Sequence, residues 1–217
     1  MENNSVEVTR RNLKCEMNVL KNPDGSALLS QGETVYLAAV YGPIEVKMQK
    51  FQIDKACIET SYKPKSGQSC VSDRIKENFI KNICEAALLT SLHPRTAINI
   101  VVQEMQDCGG GLACAVNAAC LALINSGLSM EYLVAAVSCM IDEDGEVIVD
   151  PDNKQLQGAQ GTMTIVFDNV LCDIIGLHTD GLISEQQHQE AVTKCRLCAE
   201  QFFVYLRDVV CRYAGTI

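Results

Sequence analysis

The sequence predicts an α+β fold in a single domain spanning residues 1–217. Three observations predict it. Short runs of β-forming residues, bounded by turn signals, alternate irregularly with helical patterns, in the order strands, helix, strand, helix, hairpins, long helix. The triplet Gly109-Gly110-Gly111 opens directly into Leu112–Ile124, a stretch built almost wholly of small and apolar residues. A helix that is apolar all round is buried on every side, so this one belongs at the centre. The chain closes with an amphipathic pattern over Ala191, Val192, Cys195, Cys198, Ala199, Phe202, Leu206, Val209 and Val210, which reads as one long surface helix.

Each element has a local reason. The first six residues read as disordered, and Val6–Val19 reads as a polar-to-apolar lead-in that carries Arg10, Arg11 and Lys14. Asn22-Pro23-Asp24-Gly25-Ser26 is a turn by composition, Ala27–Ser30 a short strand, and Gln31-Gly32-Glu33 a second turn. Thr34–Tyr41 is the returning strand of an antiparallel hairpin, ended by Gly42-Pro43. Ala56–Tyr62 reads as a strand and Lys63–Ser69 as a loop. Asp73–Leu92 is a helix capped by Ser72 or Asp73, with Ile75, Phe79, Ile83, Ala86 or Ala87, and Thr90 on its inner face. Glu77 and Lys81 stand at i,i+4 in the favourable order, and His93-Pro94 stops the helix. Ala97–Met105 is a strand leading into the glycine turn, and Gly127 is placed to end the buried helix. Leu133–Ile141 and Glu146–Asp150 form a hairpin about Asp144-Gly145, followed by a polar loop over Pro151–Ala159. Gly161–Phe167 and Val170–Gly176 pair about Asp168-Asn169, and Ser184 with Gln187 makes a capping box for the last helix.

Composition narrows the function. At 47% hydrophobic and 21% charged residues, 217 residues can bury a sizeable core without staples. No run approaches the ~18 apolar residues of a membrane span, and Met1–Arg11 lacks the apolar core of a signal peptide, so an intracellular protein with no membrane role is expected. The net charge of −9 argues against a chain that wraps nucleic acid unaided. The most basic stretch, Glu45–Lys65, carries Lys47, Lys50, Lys55, Lys63 and Lys65 and is either a solvated face or a contact to RNA phosphate or a partner. Twelve cysteines invite a disulfide or zinc reading. Cys114 and Cys120 lie inside the buried helix, and Cys195 and Cys198 form the single C-x-x-C pair on a helical face, so structural thiols are expected and no metal or cofactor. The glycine turn at a helix N-terminus is also where backbone N–H groups can hold a phosphate, against the plainer reading of a tight turn and close packing.

Gly25-Ser26-Ala27-Leu28, Gly32-Glu33-Thr34-Val35 and Ala39-Val40-Tyr41-Gly42-Pro43 resemble the start of the RNase PH fold. Leu112-Ala113-Cys114 followed by Asn117-Ala118-Ala119-Cys120 is the local signature that the chain shares with that family, and the later hairpins and final helix follow in the expected order. The resemblance covers Glu7–Tyr213 and implies a ribosomal protein S5 domain 2-like architecture of mixed sheets packed with helices. It looks closest to the RNase PH-like ring subunits of the eukaryotic RNA exosome. Active members of the family are phosphorolytic 3′-to-5′ exoribonucleases in which phosphate attacks the terminal phosphodiester. The resemblance places their phosphate-holding Thr-Arg pair at Gly111 and Leu112, after Gly109 and Gly110, a further arginine at Lys81, and the catalytic aspartate at Gln160. A hydrogen, an isobutyl group, a lysine and an amide cannot together supply that chemistry.

The resemblance therefore implies a non-catalytic ring subunit whose partners are other RNase PH-like subunits, cap proteins and RNA, in the nucleus, nucleolus and cytoplasm. Arg10, Arg11, Lys47, Lys50 and Lys81 are the candidate RNA contacts. Two other readings compete. A homo-oligomer, such as a homodimer of the isolated chain, could hydrolyse RNA or DNA with a divalent ion held by Asp142, Glu143, Asp144, Glu146, Asp150 and Asp152. A cysteine-based metal or redox module is the third.

Overall fold

The computed structural model describes residues 11–46, 52–142 and 145–214. Two sheets and three long helices carry the architecture of the described residues. The first sheet contains β1 (Leu13–Met17), β2 (Gly25–Gln31), β3 (Thr34–Glu45), β4 (Cys57–Lys63) and β5 (Thr96–Gln106), in the order β1-β2-β3-β5-β4. Its strands pair antiparallel except β4 with β5, which are parallel and are joined through α1 (Val71–Ala87). The second sheet contains β6 (Val134–Ile141), β7 (Val147–Val149), β8 (Gly161–Asp168) and β9 (Ile174–Gly181), all antiparallel, in the order β7-β6-β8-β9.

The buried helix is α2 (Gly111–Ser126), and it packs against strands of both sheets. Twelve of its residues, Gly111 and Ala113–Leu123, are buried. Small side chains make this possible, because they let a helix approach strands closely on all sides. Its buried asparagine, Asn117, donates to the Ala136 carbonyl (2.8 Å) and accepts the Ala136 N–H (2.7 Å), so the buried amide is not orphaned. Gly127 ends the helix in the left-handed region, as expected. Helix α4 (Glu185–Ala214) packs on the second sheet. Ser184 and Gln187 form its capping box. With α2 and α4 both against it, β6 is buried along its whole length. One hydrophobic cluster runs through both sheets, α1, α2 and α4.

Several expectations need correction. Leu13–Met17, inside the stretch read as a lead-in, is a strand paired with β2. The strand expected to stop at Gly42-Pro43 continues to Glu45. A register shift between Tyr41 and Ile44 takes the proline off the ladder. Helix α1 begins earlier, with Cys70 as its N-cap. Asp73 caps from inside the first turn by accepting the Cys70 N–H at 2.8 Å. It ends at Ala87 rather than Leu92, because Glu131 N–H donates to the Ala87 carbonyl and Leu89 N–H to Ser129, capturing the chain into an extended path. Its inner face is Ile80, Ile83, Cys84 and Ala87, and Ile75 is 52% exposed. The doublets Phe79-Ile80 and Ile83-Cys84 allow two adjacent stripes, and packing selects one. The polar loop over Pro151–Ala159 contains α3 (Asn153–Leu156), capped by Asp152 with Gln155. In the second hairpin the return strand starts at Ile174, because the Asp168 carboxylate holds a wide connection by accepting the Leu171 and Asp173 N–H groups.

All twelve cysteines are free thiols, and Cys195 and Cys198 face inward in the core. Burial pushes the Cys120 thiol up to about 11 from an ordinary 9.0 and raises Cys84 and Cys114 as well. The unfolded chain releases these protons first, so the stability they contribute is complete below pH 9 and is lost as pH rises through about 11. The melting temperature under reducing conditions should therefore fall steeply across that window, and Cys120→Ala should flatten the fall. A second test concerns the approach of β2 to α2. A side chain on Gly25 would collide with the Ala122 carbonyl and lie 2.5 Å from the Ser126 N. Gly25→Ala should cost about 2 kcal/mol in urea unfolding.

Candidate functional site

The glycine turn is held from four directions. Gly109 and Gly110 adopt positive φ (106° and 65°), the second as the N-cap of α2. The Thr34 hydroxyl donates to the Gly109 carbonyl at 2.8 Å and accepts the Cys108 N–H at 3.1 Å. The Asp107 carboxylate accepts the Gly109 N–H at 3.0 Å. A Cβ on Gly110 would lie 2.6 Å from the Ser138 hydroxyl, and one on Gly111 would collide with Asp107 and lie 2.6 Å from the Tyr36 hydroxyl. All three glycines thus permit close packing, which is the plainer of the two readings of the triplet.

Arg11 locks the outer side of this turn. Its guanidinium pairs with Asp150 and donates to the Gly109 carbonyl (3.1 Å) and Thr34 (3.3 Å), with Asp152 at 3.5 Å. Its backbone N–H also donates to Asp150, at 3.2 Å. Gln31 Nε2 donates to the same carboxylate at 2.8 Å. Asp150 is nearly inaccessible, with a side-chain exposure of 3%, and sits at a positive φ of 58°. Burial opposes the arginine's charge, but the hydrogen bond and charge of Asp150 outweigh it, and its pKa is raised. Arg11 is therefore a structural clasp between the N-terminal strand, the glycine turn and the second sheet. Asp150, Gly109, Thr34 and Asp152 all engage the guanidinium, so no free face of it remains for the expected RNA contact. Asp150 and Asp152, two of the six acids considered as a metal site, are both engaged by Arg11.

Inside the turn lies a cavity of about 370 Å³. Asp107, Gly109–Gly111 and Leu112 form one wall, and Ser138 and Cys139 of β6 form another. Thr162, Met163 and Thr164 of β8, His178 of β9, Asn153 and Leu156 of α3, and Lys76 of α1 complete it. Lys76 Nζ also stands 5.2 Å from the Tyr62 ring centroid. The Tyr62 hydroxyl donates to Glu104 at 2.7 Å and lies 3.1 Å from the Tyr36 hydroxyl, which in turn reaches Asp107 at 3.4 Å. Both tyrosines are buried, and burial first, then the nearby Asp107 and Glu104 carboxylates, hold their hydroxyls protonated well above the ordinary value.

Gly109, Gly110, Gly111 and Leu112 come together here, but Lys81 and Gln160 do not line the cavity. Lys81 lies in a separate depression with Glu77, Asn78 and Glu59. Gln160 is exposed before β8, its N–H donating to the Ile141 carbonyl. The helix cation that reaches the cavity is Lys76, and the β8 residues that reach it are Thr162, Met163 and Thr164. Sequence reasoning missed these and Ser138. Ser138 is the single hydroxyl in the apolar run Val134–Ile141, and Thr162 and Thr164 alternate within an apolar strand, so both carried a signal. Arg10, Lys47 and Lys50, together with Glu143 and Asp144, lie outside the described residues.

Residues 9–129 match the 3′ exoribonuclease family, domain 1, and residues 132–195 match domain 2 of the same family. The chain belongs to the RNase PH family of 3′ exoribonucleases. Among its relatives is an exosome complex exonuclease RRP46 homolog of Arabidopsis thaliana, 35% identical over 76% of this chain and 69% of the relative. An exosome complex component RRP46 homolog of Caenorhabditis elegans is 34% identical over 70% and 69%. The crystal structure of rice (Oryza sativa) Rrp46 superposes with a TM-score of 0.88 at 31% identity, covering 92% of this chain and 94% of that one. The RNase PH-like architecture expected from the sequence is thus the one observed.

In this RNase PH-like chain the clasp should matter for stability before anything else. Arg11→Ala and Asp150→Ala should each cost about 3 kcal/mol, since either leaves a buried charge unpaired. The double variant should cost no more than the worse single one, a coupling that a double-mutant cycle in urea measures.

Proposed function

We propose that this chain is a non-catalytic subunit of the RNA exosome core ring, the member called exosome component five. In this reading it completes a six-membered ring with other RNase PH-like subunits, beneath cap proteins. The ring threads RNA to a separate nuclease in 3′-to-5′ processing and decay, including ribosomal RNA maturation. It acts as a single unit, in the nucleus and nucleolus and also in the cytoplasm. The relatives named as exosome components support the ring assignment.

One observation carries the non-catalytic part. Phosphorolysis needs positive groups around the attacking phosphate and an acid near the leaving oxygen. The cavity at the head of α2 offers one lysine, Lys76, and one histidine, His178, against the carboxylate of Asp107. Gly111 and Leu112 bring neither a hydroxyl nor a guanidinium, and the β8 residues facing the cavity are Thr162, Met163 and Thr164. RNA contact is weak, or is made only within the complex, because the acidic chain relies on basic neighbours.

The experiment is an assay of the purified chain with RNA, phosphate and magnesium, paired with co-purification from cells. No nucleoside diphosphate should appear, and five other RNase PH-like chains should be recovered in equal amounts. Nucleoside diphosphate release would defeat the non-catalytic reading. A lone homodimer releasing nucleoside monophosphate would replace it with a hydrolytic one.

A further inference from the structure

We propose that Asp107 is an internal anion that bars phosphate from the head of α2. This rests on the non-catalytic reading above and names the residue that enforces it. The N-terminus of a helix attracts negative charge through its free N–H groups. In this chain the Asp107 carboxylate already stands there. It accepts the Gly109 N–H at 3.0 Å, lies 3.4 Å from the Tyr36 hydroxyl, and occupies the space in front of Gly111. A phosphate entering the cavity would meet a fixed like charge at the point where the helix is most attractive.

A second observation shows that the turn otherwise keeps a group able to hold an anion. Ser138 is 6% exposed and lines the cavity beside Gly110, and its hydroxyl has no hydrogen-bond partner among the described residues. An unpaired buried hydroxyl is costly, so it marks a place where a partner is missing. Lys76 and His178 face the same space. The cavity therefore holds donors for an oxyanion together with a carboxylate that excludes one.

The steric side is as informative as the charge. A side chain at position 111 would collide with Asp107 and crowd the Tyr36 hydroxyl. Glycine at 111 and aspartate at 107 are thus coupled. Restoring the hydroxyl and guanidinium of active relatives at 111 and 112 cannot rebuild the phosphate site while Asp107 stays.

Binding of inorganic phosphate to the full chain, by calorimetry against chloride at matched ionic strength, tests this. Asp107→Asn keeps an oxygen for the Gly109 N–H and so preserves the turn. It should bind phosphate at least about tenfold more tightly than the unaltered chain, as removal of one nearby negative charge implies. The Gly111→Thr, Leu112→Arg protein should gain nothing until Asp107→Ala is added. Equal phosphate affinity of Asp107→Asn and the unaltered chain would overturn the proposal. So would a full gain in the Gly111→Thr, Leu112→Arg protein with Asp107 in place. Nucleoside diphosphate release by the unaltered chain is a separate result, and it would strike the non-catalytic reading instead.

Discussion

Everything in this molecule depends on how closely α2 can approach its neighbours. Alanine, glycine and cysteine make up half of the helix, and each of its faces touches protein. Two sheets can share one core only because the element between them is thin. Burial of apolar surface on both sides supplies the driving force, and dense packing makes each added methyl group costly. Asn117 shows the same constraint in polar form. Its amide meets the backbone of Ala136 with both donor and acceptor satisfied, so a large polar group is tolerated at the centre.

The glycine turn extends that constraint to the cavity. The loop is held by Thr34, Asp107 and the Arg11–Asp150 clasp, and Ser138 stands close against Gly110. The clasp draws together residues 139 positions apart in sequence and fixes the outer wall while the inner wall stays open. Backbone shape and side-chain chemistry have separated. A strand, a glycine turn and a helix N-terminus meet at the cavity, and Thr34, Asp107 and Arg11 bind the turn's backbone.

Much of this was legible in the residues. The uniform smallness of Leu112–Ile124 announces a helix buried on all sides, and the Asp144-Gly145 and Asp168-Asn169 signals announce the two hairpins of the second sheet. Boundaries were less legible where tertiary contacts decide them. Ala87 ends α1 because residues 129–131 capture the chain that follows, which no local pattern announces. The cavity was half legible. Its glycines follow from sequence, but Lys76 and Lys81 differ only by their rotation about α1, and packing against β4 and β9 sets that rotation. Arg11 looks like a surface cation in sequence, and only the fold brings Asp150 to it.

The placement of the thiols has a consequence of its own. Cys84, Cys114, Cys120, Cys139, Cys195 and Cys198 are buried in α1, α2, β6 and α4, while Cys70 and Cys211 are exposed. The three long helices and the second sheet thus each carry a shielded nucleophile that an alkylating reagent can reach only when that element opens. The molecule contains its own chronometer of local unfolding, with two sulfurs always at the surface as the reference tick.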